Sequence, residues 1–220
     1  MPGKLLSVSL IFSLAAAMPA ARLVAQEGPP IRVPEGNGKP ILTDGIFSPG
    51  EWDDSLKIEI RPNIHFLVKT GAGFVFLGIR YIPFALSIAD LFISPDRKSV
   101  RQFHVSAQLG ERQLNATPGL DDDPEFAWGD TTGWYANEIR WNERKVQALV
   151  KEGKDRGEAQ QASIYYTEGF EFQIRQSKFG SDEWLVRLES PSPPDWKDPV
   201  VFPAGTNTAS TRGRLKLSFK

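Results

Sequence analysis

The 220-residue chain contains no cysteine. That excludes disulfides, Cys-ligated zinc, thiol nucleophiles and a lipid-anchoring Cys behind an export signal. Its two methionines are Met1 and Met18, and its two histidines are His65 and His104. So few His and no Cys leave little from which to build a nucleophile–base pair. No G-x-S-x-G elbow, H-E-x-x-H or P-loop pattern occurs, and no signature selects a catalytic pair from the 27 acids. Charge of one sign is also lacking, with 26 Lys plus Arg against 27 Asp plus Glu. There is no basic field to hold nucleic acid or anionic lipid.

Long apolar runs are missing too. The longest, Leu5 to Ala17, is too short to span a membrane, follows the single cation Lys4 and precedes small residues around Ala20 to Ala25. This is the layout of a signal peptide over 1–25, implying a secreted or periplasmic product with no membrane span after cleavage. Both methionines leave with it. The stretch 26–40 is rich in Pro and Gly and reads as an exposed lead-in, so one domain is expected over 41–220.

What remains is dominated by short strand patterns. "SLKIEI" alternates with period two, and "IHFLVKTGAGFVFLGIRYI" reads as a hairpin turning at Thr70 to Gly73. "SIADLFISPD", "RQFHVSAQL" (Arg101 to Leu109), "SIYYTEGFEFQIRQ", "EWLVRLES" and "RGRLKLSFK" follow, separated by turn signals. No crossover-length helices intervene between the first of them. An all-β antiparallel sandwich is expected, with jelly-roll or immunoglobulin-like layering. One helical insertion interrupts it over about 141–162: Val146, Leu149 and Val150 share a helical face, Asn142 can cap the start, and Gly153 can close the end. A second short helix is expected at Asp155, whose spacing to Glu158 fits a capping box. The apolar face of the insertion is expected to lie on the sandwich.

The segment "TDGIFSPGEWDD", Thr43 to Asp54, concentrates two turns, a Glu-Trp pair and further acids. A calcium loop needs oxygen donors at close alternating spacing, whereas Asp44 and Glu51 are separated by apolar Ile46 and Phe47. Asp44-Gly45 and Pro49-Gly50 are turn dipeptides, and Trp52 is a large apolar plug. The expected role of Asp44, Gly45, Gly50, Glu51 and Trp52 is therefore architectural.

Asp-Gly, a few residues, then Gly-Glu-Trp before a first strand, followed by "FVFLGIRY", "ADLFISPD", "GFEFQIRQSKFG" with Trp184, and "TRGRLKL", resembles family 9 carbohydrate-binding modules and the wider DOMON-like β-sandwich group. The resemblance runs in scattered motifs from about Ile41 to Phe219 and leaves the insertion uncovered. It implies a non-catalytic module that binds a polysaccharide or oligosaccharide. Some DOMON-like domains bind haem, commonly through a methionine, which the mature chain lacks. A bis-histidine site from His65 and His104 is the formal alternative.

Sugar binding needs aromatic faces with polar neighbours. "DDDPEFAWGDTTGWYANEIRW" supplies Phe126, Trp128, Trp134, Tyr135 and Trp141, which either face a ligand or seal the insertion to the sheet. Trp128 and Trp134 are the candidates here, with Trp196 of the Pro-rich "SPSPPDWKDPVVFPAG" connection as a third. Asp121, Asp122 and Asp123, with Glu125, either hold calcium or stand solvated on a turn. A sandwich that binds an envelope protein partner stays open as the other reading, and a glycoside hydrolase would need two carboxylates about 5 to 10 Å apart.

Overall fold

A computed structural model of the chain describes residues 28–81, 88–115, 125–190, 199–208 and 210–220. The expected signal peptide, Asp121 to Asp123 and Trp196 lie outside them. The strands are β1 (Ile31–Arg32), β2 (Leu56–Arg61), β3 (Ile64–Gly71), β4 (Phe74–Tyr81), β5 (Ala89–Ser94), β6 (Ser99–Val105), β7 (Leu109–Asn115), β8 (Ala127–Trp128) and β9 (Trp134–Ala136). Helices α1 (Glu143–Lys151) and α2 (Arg156–Gln161) come next, then β10 (Gly169–Arg175), β11 (Glu183–Ser190), β12 (Val200–Phe202) and β13 (Leu215–Ser218).

They form two sheets. One runs β1-β13-β11-β5-β6-β7-β8, with β12 also on β11, and the other runs β2-β3-β4-β10-β9. The all-β sandwich with a short helical insertion is thus what the chain forms, with the pairing antiparallel except for β1 on β13. Between the sheets lies one apolar core built around Phe66, Leu77, Phe103, Phe170, Phe172 and Trp184. Truncating one such ring to Ala costs about 3 to 5 kcal/mol.

Local rules explain the hairpin. β3 and β4 pair from Ile64 with Tyr81 to Gly71 with Phe74. Ala72 and Gly73 turn the corner with φ of 51° and 79°, the double positive φ that a two-residue hairpin turn demands. The same strands are apolar on both faces because both faces are covered. Ile64, Phe66 and Val68 face the core, while Leu67 and Phe76 pack under Ile41, Phe47 and Trp52.

Several expectations need correction. The lead-in is not wholly exposed: β1 pairs with β13, Val33 is buried in the core, and Gly36 donates to the Thr70 carbonyl. Ordered structure therefore precedes Ile41. The run Arg101 to Leu109 is not one strand, since the chain turns at 106–108 and Leu109 opens β7. The helices sit where expected, with Asn142 accepting from the Lys145 N–H and Asp155 from those of Gly157 and Glu158. Yet they pack on each other more than on the sandwich. Val146 and Ala159 are buried, but Val150 is 37% exposed.

Candidate functional site

The outer faces of the two sheets are built differently. Over the five-stranded sheet, residues 36–55 fold back as a cover. Pro49 and Gly50 occupy the centre of a turn closed by the Glu51 N–H on the Ser48 carbonyl, with Gly50 at φ 82°, the Pro-then-Gly pattern of a type II turn. Asp44, Glu51 and Asp54 are engaged with the protein, while Asp53 is exposed. Asp44 Oδ1 accepts from the Ile46 N–H, and Glu51 accepts from those of Leu42 (2.6 Å) and Ser48 (3.1 Å). Asp54 Oδ2 accepts from Asn37 and Gly38. Lys69, almost fully buried, donates to the Glu51 carbonyl (2.7 Å) and to Asp54 Oδ1 (2.9 Å).

Beneath the cover sits Glu171 of β10, fully buried. Its Oε1 accepts from Trp52 Nε1 at 2.9 Å, and its Oε2 from the Gly45 and Asp44 N–H groups at 2.8 and 3.0 Å. Asn137 completes the lattice by accepting from the Glu171 N–H and donating to the Gly169 carbonyl. Burial pushes the Glu171 carboxyl up to about 7, with help from the charge of Glu51 and against the three N–H donors. A raised carboxyl beside a second acid is a feature of catalytic sites. Here both acids are buried and hydrogen-bonded to the chain's own N–H groups, so the lattice is a fastener. Gly78 lies below it: a Cβ there would come within 2.8 Å of Phe47 and 3.1 Å of Trp52.

The eight-stranded sheet presents a different outer face. Strand alternation sends Phe103 and Val105 inward and leaves Gln102 and His104 outward on β6. The cross-strand register then builds two adjacent rows. In one, Asp90 is paired with His104, His104 with Gly110, and Gly110 with Trp128. In the other, Phe92 is paired with Gln102 and Gln102 with Arg112, and the Arg112 guanidinium lies 4.5 Å from the Phe126 ring centre.

Trp128 lies on Gly110. A Cβ at Gly110 would meet the indole at 2.8 and 2.9 Å and Phe126 at 3.1 Å, so only glycine admits this packing. With its ring seated on the strand, Trp128 is still 53% exposed. Phe126 and His104 flank it, their ring centres 4.9 and 5.5 Å away. The polar members are tied in series: His104 Nδ1 and Gln102 Nε2 each meet Asp90 Oδ1 at 2.9 Å, and Arg112 Nε donates to Gln102 Oε1 at 2.7 Å. A carboxylate only accepts, which assigns the imidazole proton to Nδ1 and makes Nε2 of the neutral ring an acceptor.

No family model, curated protein or solved structure matches the chain. The likeness to family 9 carbohydrate-binding modules and DOMON-like sandwiches accordingly rests on its short motifs alone.

Of the predicted aromatics, Trp128 stands open on this face. Trp134 does not: it is 3% exposed, packs edge-on against Phe103 at 4.9 Å and belongs to the core. It faces inward from β9, so it is no stacking platform. Tyr135, its neighbour, is on the outer face of the other sheet, and Trp141 bonds Glu143 within the insertion. The two histidines belong to opposite outer faces, His65 on β3 and His104 on β6, with the core between them. They cannot ligate one haem iron. Among the described residues no three His, Cys, Asp or Glu side chains group as metal ligands. The cleft of about 580 Å³ near Arg32, Gly73 and Lys220 carries only Glu35 as an acid, and one of about 390 Å³ beside Trp52 carries only Asp53. Neither supplies two acids for hydrolysis.

Asp90, Gln102, Gly110 and Arg112 are members that the sequence reading missed. Their signal was the alternation Gln102, His104, then Gly110, Arg112, hidden because β7 went unrecognised.

Proposed function

We propose that the chain is an exported, non-catalytic binding module that takes saccharide on the outer face of its eight-stranded sheet. The observation that carries this is the Trp128 indole, laid on Gly110 and half open to solvent beside His104, Gln102 and Asp90. A sugar ring stacks its C–H face on an indole while fixed polar groups orient its hydroxyls. His104 Nε2 is held as an acceptor for one hydroxyl, and Asp90 fixes the imidazole that bears it. The motif resemblance to carbohydrate-binding modules points the same way, and carbohydrate in the extracellular or periplasmic space suits the signal-like leader. The test is a glycan array followed by titration under tryptophan fluorescence. Binding that is lost in Trp128→Ala supports the reading; no binding to any glycan sinks it.

A second reading has its own observation. Ile164, Tyr165 and Tyr166 are exposed apolar residues after the insertion, and Ile164 borders an apolar groove of about 310 Å³ with Ile88, Ile139 and Trp141. Such a patch suits an envelope protein partner. Ile164→Asp would abolish capture of that partner and leave glycan binding intact.

A further inference from the structure

We infer that the saccharide bound on this face is acidic, its uronate carboxylate or sulfate ester held by Arg112 while the ring lies on Trp128. This rests on the saccharide reading above. Arg112 is fixed in two directions, by its Nε on Gln102 Oε1 at 2.7 Å and by its face on the Phe126 ring at 4.5 Å. The constraint orients the guanidinium plane while leaving its four Nη protons without a hydrogen-bond partner among the described residues. Arg80, Arg101, Arg140, Arg156 and Arg187 each have a carboxylate, namely Glu168, Glu111, Glu138, Glu143 and Glu189. Arg112 has a carboxamide instead. Gln102 takes up one donor and none of the charge, so a positive fork stays available for bidentate bonds to a planar anion.

Position and field agree with this. Gly110 and Arg112 are two residues apart on one face of β7, about 7 Å, which places Arg112 within reach of a substituent on a ring stacked at Trp128. The acids of this face are farther away or engaged. Asp90 lies two strands from Arg112, about 10 Å, with Oδ1 engaged by His104 and Gln102, and Glu189 lies beyond it, bound to Arg187 at 2.6 Å. Past them, Arg187 and Arg214 are nearly fully buried, and Arg187 Nε and Nη1 and Arg214 Nη1 have no hydrogen-bond partner among the described residues. Among the described residues Arg112, Arg187 and Arg214 thus bring positive charge to this part of the face, beside Asp90, Glu189 and the engaged Glu125, in a region partly shielded from solvent.

The test is calorimetric titration of the full chain at physiological salt with four probes: oligogalacturonate, a sulfated galactan oligosaccharide, a neutral xylo-oligosaccharide and polyglutamate. The expected result is binding of one of the two acidic saccharides about tenfold or more tighter than the neutral one, the size of a charge-assisted pair. Whichever of those two binds identifies the anion. In Arg112→Gln the affinity falls to that of the neutral probe. Arg112→Lys, which retains charge without the planar fork, recovers only part of the preference and guards against a folding defect in the glutamine variant. Equal binding of neutral and acidic saccharides, or a preference that survives Arg112→Gln, would overturn the inference and leave saccharide binding standing. Polyglutamate bound as tightly as oligogalacturonate would also overturn it, by showing attraction without a sugar. Binding of none of the four would overturn the inference and count against the saccharide reading itself.

Discussion

Gly78 and Gly110 play the same geometric part in different sheets. Each lies where a strand has no side chain, and each has aromatic rings where its Cβ would be: Phe47 and Trp52 on Gly78, Trp128 and Phe126 on Gly110. The difference is what lies above. Trp52 is covered, 6% exposed, and spends its Nε1 on Glu171, so it joins the cover to the sheet. Trp128 is 53% exposed, and the polar groups beside it retain unused donors and acceptors. The same packing device serves stability where its polar groups are saturated and, in the function proposed above, recognition where they are not.

The strongest way to separate the two is Trp52→Ala. It removes a buried indole and strips Glu171 of its side-chain donor, and should cost about 3 to 5 kcal/mol in denaturant unfolding, with ligand specificity untouched. Next comes Gly78→Ala, whose methyl must push Phe47 and Trp52 out of a closed layer. A loss of about 1 to 3 kcal/mol by the same measurement is expected, again without a change in binding.

The covered lattice should also show itself through pH. The Glu171 carboxyl is raised from 4.5 to about 7 when folded, so the folded state keeps a proton that the unfolded chain has released. Stability should therefore fall as pH rises from about 4.5 to about 7, by at most about 1.4 kcal/mol per pH unit. Glu171→Gln should remove that slope in urea titrations. The Asp54 carboxyl works in the opposite sense. Burial raises it, but Lys69 and the Gly38 and Asn37 N–H groups outweigh this and lower it below 3.8; its contribution is lost as pH falls below that value. The smallest stability effect belongs to the open site. Gly110→Ala can be relieved by Trp128 swinging into solvent, so it should cost under about 1 kcal/mol while abolishing saccharide binding.

The corner Thr43 to Asp54 was legible because its instructions are local. Asp-Gly and Pro-Gly need positive φ at Gly45 and Gly50, and both have 82°. Its keystone was not legible, since Glu171 lies 119 residues beyond Trp52. Helix caps at Asn142 and Asp155 were equally readable for the same local reason. The burial of α1 was not, because the insertion shields itself with its own second helix and leaves Val150 outside. Strand β7 escaped notice because Glu111 has the place of an apolar residue and is compensated by Lys178 at 3.0 Å and Arg101 at 3.5 Å, from other elements. Trp128 and Trp134 share one Gly- and Asp-rich stretch yet belong to different sheets, one open and one in the core. Composition ranks such residues together; only the register divides them.

The most direct measurement is a calorimetric titration of a bound oligosaccharide into folded Trp52→Ala and folded Trp128→Ala side by side. Retained affinity in the Trp52 variant with loss in the Trp128 variant is the predicted result. A folded Trp52→Ala protein that has lost binding, beside a Trp128→Ala protein that keeps it, would contradict the assignment of the two faces.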